Sequence, residues 1–178
     1  MDPALAFLRQ SRLYLTSHYL PKIQAAVETL DEGDLWWRPN PASNSVGNLL
    51  LHLAGNLRQW LVSAVGGAPD RRDRGAEFAA ADGADRRTLL AGLTEAVSEA
   101  DAVLARTNPV ALDQRRRIQG RDVSVFEATY HVVEHFAMHT GQILYIAKLR
   151  TGRDLGFYRL EDGIARAAWP GRPTGGWA

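Results

Sequence analysis

Apolar side chains recur every three to four positions in four stretches of this chain, and the alternation expected of strands is scarce. The first stretch runs from about Asp2 to Leu30, with Leu5, Leu8, Leu15, Tyr19, Ile23, Val27 and Leu30 on one face. Asp2 is placed to cap it and Pro3 suits a first helical turn, while Pro21 predicts a kink or break near Leu20. Asp31 to Ser43 reads as a connection whose Trp36 and Trp37 plug the end of the core. A second helix is expected from Asn44 or Ser45 to Val65, stopped by Gly66-Gly67. Gly66 to Gly83 reads as a polar loop in which Arg71-Arg72-Asp73-Arg74 forms a solvated surface. The third helix starts near Asp85, carries Leu89, Leu93, Val97 and Leu104, and ends at Asn108-Pro109. Arg115-Arg116-Arg117 leads to Gly120 through a short turn or hairpin. Ser124-Val125-Phe126-Glu127 is a capping box that opens a fourth helix to about Arg150, with Gly152 as its stop.

The pattern predicts an all-α, four-helix bundle over residues 1–152 and an irregular tail over 153–178 that packs on it. One turn of helix is expected in the tail around Glu161 to Ala168, with Trp169 and Trp177 as docking handles. The 178 residues suit a single domain, and 46% hydrophobic with 23% charged residues is ordinary for a globular protein. A formal net charge of +1 gives no pull toward nucleic acid or an anionic membrane. No cysteine is present, which excludes thiolate ligands, cysteine nucleophiles and disulfides. The start Met1-Asp2-Pro3 has no secretory pattern and no apolar run suits a bilayer, so the expectation is a soluble cytoplasmic protein.

Five histidines interrupt the apolar faces: His18, His52, His131, His135 and His139. His131, His135 and His139 stand at i, i+4 and i+8 on the fourth helix, each step turning only about 40°, so they share a face that must meet the core. Buried imidazoles need partners, and a divalent cation is the partner that satisfies several neutral rings at once. His131 and His139 lie roughly 12 Å apart along the axis, so one ion takes either His131/His135 or His135/His139. The third ligand must come from elsewhere, and His52, set among Leu49, Leu50, Leu51 and Leu53, is the only histidine of the second helix. Asn56, Gln59 and Ser63 follow it on nearly the same face and suggest one wall of a small polar pocket. His18 reads as a hydrogen-bonded core residue. His131-Val132-Val133-Glu134-His135 also matches the H-x-x-E-H pattern of inverted zinc proteases, in which the glutamate is a general base. Glu134 lies about 100° from His135 around the helix, which points it sideways.

The string His135-Phe136-Ala137-Met138-His139-Thr140-Gly141-Gln142-Ile143 resembles the H-x-x-x-H-x-G-Q-I signature of the DinB-like family. Ser45 to Leu53 resembles that family's second-helix segment with its first metal-binding histidine. The resemblance implies a bundle with an up-down-down-up connection and a zinc or nickel site on His52, His135 and His139. It leaves His131 as a pocket residue, and it implies homodimers and, for some members, transfer to low-molecular-weight thiols such as bacillithiol or mycothiol. Thr140 departs from the family, where arginine is common, so a pocket cation for an anionic substrate is missing or supplied elsewhere.

Three neutral histidines leave a divalent ion with open positions, the arrangement of a catalytic rather than a structural site. The expected function is therefore that of a metal-dependent enzyme of thiol-transferase or hydrolase type acting on a small molecule. Glu134 and His131 are its candidate catalytic groups, and Asn56, Gln59 and Gln142 its candidate pocket residues. The alternative is a non-catalytic metal-binding bundle with a structural or binding role. Gly141 reads as an allowance for close helix packing.

Overall fold

A computed structural model describes residues 2–170. Trp177 lies outside them. Four helical rods form the body of the molecule. The first joins α1 (Pro3–Leu13) to α2 (Leu20–Glu28) through a wide π-helical segment, Tyr14–Tyr19. Asp2 caps α1 as expected. The break predicted at Pro21 takes this wide form because proline has no N–H to return to the carbonyl of Ser17. The released Ser17 carbonyl accepts instead from Trp169 Nε1 at 2.9 Å. A single turn, α3 (Glu32–Leu35), lies in the first connection. There Trp36 packs on the core and donates to the Ala84 carbonyl, while Trp37 lies under the Arg150 guanidinium.

The second rod is α4 (Val46–Leu57), continued by a π-helical segment, Arg58–Ser63. It opens on a capping box between Ser45 and Asn48. A short helix, α5 (Arg74–Ala79), follows where only a loop was expected. The third rod, α6 (Arg86–Arg106), begins at its cap Asp85. A hairpin of β1 (Arg115–Ile118) and β2 (Arg121–Ser124) then leads into α7 (Val125–Thr151). Ser124 and Glu127 cap α7 reciprocally, and Gly152 ends it in the left-handed region at φ 64°.

Paired contacts set the direction of each rod. Phe7 meets Phe126, Tyr19 meets Phe136 and Arg150 meets Asp34, so the first rod and α7 run the same way. Arg12 pairs with Asp101 and Gln24 with Thr94, so α6 runs against the first rod. Arg58 pairs with Glu95 and Glu99 across α4 and α6. His52 meets His139 and Trp60 meets His131, so α4 opposes α7. Leu15, Ile23, Leu53, Leu57, Leu93, Leu104, Val132, Phe136 and Ile143 fill the space between the rods.

The tail differs from its expectation. Residues Glu161 to Ala168 hold no helical turn; β3 (Tyr158–Glu161) and β4 (Ile164–Ala167) form an antiparallel hairpin. Asp162 and Gly163 both take positive φ, 52° and 77°, the geometry of a tight hairpin turn for which Asp-Gly is the favoured pair. Phe157, Ala167 and Trp169 dock this segment against Ala25 and Leu144. Among the described residues no helix is long and apolar enough to cross a membrane.

Candidate metal centre

His52 on α4 and His135 and His139 on α7 bring their side chains to one point. His52 Nε2 lies 3.0 Å from His135 Nε2, and His139 Nε2 lies 3.1 Å from the same atom. Three nitrogens at zinc distance in a tetrahedral shell would stand about 3.3 Å apart. The observed spacing is a few tenths of an ångström tighter.

The other ring nitrogens explain why a cation fits. His52 Nδ1 is 2.9 Å from Glu77 Oε2, which can only accept, so Nδ1 carries the proton and Nε2 offers a lone pair. His139 Nδ1 likewise donates to Gln142 Oε1 at 2.6 Å. His135 Nδ1 is buried without a partner. One His135 proton cannot serve two lone pairs and that orphan together, so some polar atom always faces another unsatisfied. A divalent ion accepting all three Nε2 lone pairs removes the conflict, and these three residues could hold one.

Electrostatics keeps the lone pairs available. Burial, then the neighbouring charges of His139, His52 and His131, pushes His135 down to about 3. Burial also lowers His139, against the hydrogen bond to Gln142. At Glu77 burial disfavours the charge, but hydrogen bonds from Arg72 and His52 outweigh it and hold the carboxyl below its usual range.

Glu77 and Arg72 are the functional residues that the helical pattern does not disclose. Arg72 grips Glu77 through Nε at 2.7 Å and Nη2 at 2.8 Å, and its side chain is only 3% exposed. The expected solvated cluster Arg71 to Arg74 is therefore wrong at Arg72: it is buried, because a carboxylate and the amide of Gln59 meet its donors. Arg72 Nη2 also lies 3.0 Å from His52 Nδ1, two donors converging on the shared Glu77 Oε2. Asn48, one turn before His52, donates to the carbonyls of Glu77 and Ala80 and so pins α5 to α4. Gly55 makes the approach possible, since a Cβ there would overlap Glu77 Oε1. A glycine three residues after His52 on an apolar helix was the available signal of a close neighbour.

The remaining expected residues divide. Gln142 orients His139. Gln59 turns away from the histidines to Asp70, Arg72 and Gln119. Asn56 is buried one helical turn past His52, and its side-chain amide makes no hydrogen bond to the described residues. His131 packs on Trp60 with ring centroids 4.1 Å apart and tilted by 39°, and its ring centroid stands 5.3 Å from that of His135; burial lowers its pKa. Glu134 is exposed on the outer side of α7. His18 is buried against Tyr14 and Trp169, outside the centre. A larger cavity of about 710 Å³ opens behind Glu77, between α4, α6 and residues 68–77, and none of the histidines lines it.

No curated protein matches the chain. Among solved structures, the fold is similar to a DinB-like protein from Bacillus cereus at 15% identity, covering 84% of this chain and 93% of that one with a TM-score of 0.64. It is also similar to a conserved protein from Enterococcus faecalis at 16% identity, covering 84% and 96%, with a TM-score of 0.60. At such identities these neighbours speak for the fold alone. The family model of mycothiol-S-transferase matches residues 12–151, a span that holds all three converging histidines and the Glu77 that braces the first of them. On that match the chain belongs to the mycothiol-S-transferase family, a DinB-like family.

Proposed function

We propose that the chain is a metal-dependent transferase that uses a low-molecular-weight thiol, mycothiol or a relative of it, against a small electrophilic acceptor. His52, His135 and His139 hold zinc or nickel. The observation that carries this reading is the convergence of three Nε2 atoms while Glu77 and Gln142 fix two of the rings from behind. Three imidazole ligands leave room for a further one, as in catalytic zinc sites. A divalent ion held there supplies Lewis acidity, which favours the ionised form of a thiol or water placed upon it. The chain's own groups supply the rest. Gln142 and Glu77 hold the ligand rings in orientation and tautomer. His131, braced on Trp60 beside His135, accepts the thiol proton at a ring nitrogen. Asn56 offers a buried amide for the substrate.

Elemental analysis combined with a free-thiol assay tests the proposal. The purified chain should bind about one ion and consume mycothiol with an alkylating acceptor, and His52→Ala and His135→Ala should each lose both properties. A zinc-loaded chain that consumes neither mycothiol, bacillithiol nor cysteine above the uncatalysed rate would support a non-catalytic metal bundle instead.

A further inference from the structure

The cavity of about 710 Å³ behind Glu77 falls in the size range of pockets that hold small organic molecules, about 300–1,000 Å³. Leu50, Leu89 and Leu93, buried residues of the core, help to line it. Thr88, Gly92 and Glu99 line it from one flank of α6, at the spacing that puts side chains on a common helix face. Gly92 stands inside the 21-residue α6, where glycine is disfavoured, and a Cβ there would meet nothing within 4 Å. Packing within the chain gives no reason for that glycine, whereas a larger side chain on this flank would take up space in the cavity.

The charges around the cavity are already engaged. Arg58 holds Glu95 and Glu99, each at 2.8 Å, and Arg72 holds Glu77 at 2.7 Å. Asp70 accepts from the Gln59 amide and the Arg72 N–H, and Asp73 caps α5. Arg71 alone among the charged lining residues has no side-chain partner among the described residues. It is exposed and lies between Asp70 and Asp73 in the chain, so the rim carries both signs. A charged ligand would give up its hydration against leucines with no free counter-charge inside, which is costly, whereas an uncharged apolar one gains from the same surface.

We propose that this cavity binds a small, uncharged and largely apolar organic molecule at a site apart from the metal centre. Arg72 and Glu77 form the partition between the two, so an occupant covers the far side of the ion pair that orients His52. The inference stands independently of the thiol chemistry.

Titration calorimetry on the full, zinc-loaded chain tests it with three probes of similar shape: neutral naphthaleneethanol, anionic naphthaleneacetate and cationic naphthylethylamine. The alcohol should bind with a Kd below about 1 mM, and each charged probe at least about fivefold more weakly. Gly92→Phe should weaken the alcohol at least about tenfold without lowering the melting temperature, because the ring occupies the cavity. Thr88→Phe, at an exposed position on the same flank, should do the same. His135→Ala, which removes a proposed metal ligand, should bind the alcohol as the parent does, since no histidine lines the cavity. An alcohol that does not bind, a charged probe that binds as tightly, binding that survives both phenylalanine variants, or binding lost with His135 would overturn the proposal. A dimeric chain that Gly92→Phe splits into monomers would overturn it too, giving the cavity to a second copy.

Discussion

Changing Glu77 to glutamine removes one charge and one acceptor from a largely buried cluster. The carboxylate receives Arg72 Nε at 2.7 Å, Arg72 Nη2 at 2.8 Å and His52 Nδ1 at 2.9 Å. A glutamine has one oxygen, so its own NH2 must face at least one of these donors. Arg72 then stays buried without a counter-charge. Breaking a buried pair costs about 3–5 kcal/mol; the amide keeps one acceptor, so the lower end, about 3 kcal/mol, is expected. In a chain of this size about 2–4 °C is lost per kcal/mol, which gives a fall of roughly 6–12 °C in the melting temperature of the metal-free protein.

Metal binding should weaken separately. With no full acceptor at Nδ1, His52 loses its fixed tautomer, and loss of such an outer partner costs about 10–100-fold in affinity. Calorimetry reads the first effect and competition with a chromogenic chelator the second. The double variant R72M/E77M separates them. Apolar residues of similar volume should recover most of the stability, yet His52 Nδ1 still lacks its acceptor, so affinity should stay low. A Glu77→Gln chain that melts within about 2 °C of the parent and binds zinc within about twofold would refute both expectations.

Gly55→Ala should lower both melting temperature and zinc affinity, although alanine is favoured over glycine in a helix by about 1 kcal/mol, because the new Cβ overlaps Glu77 Oε1; thermal scans with and without zinc read the sign. Trp169→Phe strands the Ser17 carbonyl and replaces the indole beneath Lys22 with a smaller, weaker ring; a loss of about 1–2 kcal/mol should show as a lower urea midpoint at unchanged slope. His131→Ala should keep full metal stoichiometry by elemental analysis while thiol transfer falls, and loss of the ion would move the ligand pair to His131/His135. Chelation should lower the melting temperature without unfolding the chain at 25 °C, since zinc at 100 times its Kd adds about 2.7 kcal/mol to a fold whose apolar core already joins all four rods; an unfolded circular dichroism spectrum in chelator would count against this.

Much of this molecule was legible along the chain because the signals are local. Ser124 with Glu127, Asp85 and Gly152 state the ends of α6 and α7 within a turn or two, and the turn that broke the tail prediction is a local signal passed over, Asp162-Gly163 between alternating apolar residues. His52 and His135 were legible because a polar residue on a core face demands a partner, while the choice of His139 over His131 rested on the family resemblance. Arg72 and Glu77 were not, since each alone reads as ordinary surface charge. Their burial is decided by residues far back along the chain, Gly55 leaving space and Asn48, 29 positions before Glu77, anchoring α5. Gln59 looked like a pocket residue on the same reasoning that found His52, yet residues 68–77 fold back and take its amide.

The same contrast bears on what holds the centre in place. Each ligand ring is set by groups that the bundle itself positions: Asn48 ties α5 to α4, α5 presents Glu77, and Glu77 fixes His52, while Gln142 fixes His139 one turn along α7. His135 alone has no such brace, and its Nδ1 is the orphan. A metal that organised the fold, as in small zinc domains, would not need this scaffolding, because there binding and folding are one event. Here the apolar core spans all four rods without the ion, so the energy of burying Arg72 and Glu77 goes into orientation rather than stability. Such preorganisation would suit the proposed centre, in which an ion would keep a position free for substrate and the fixed rings could not swing to close it.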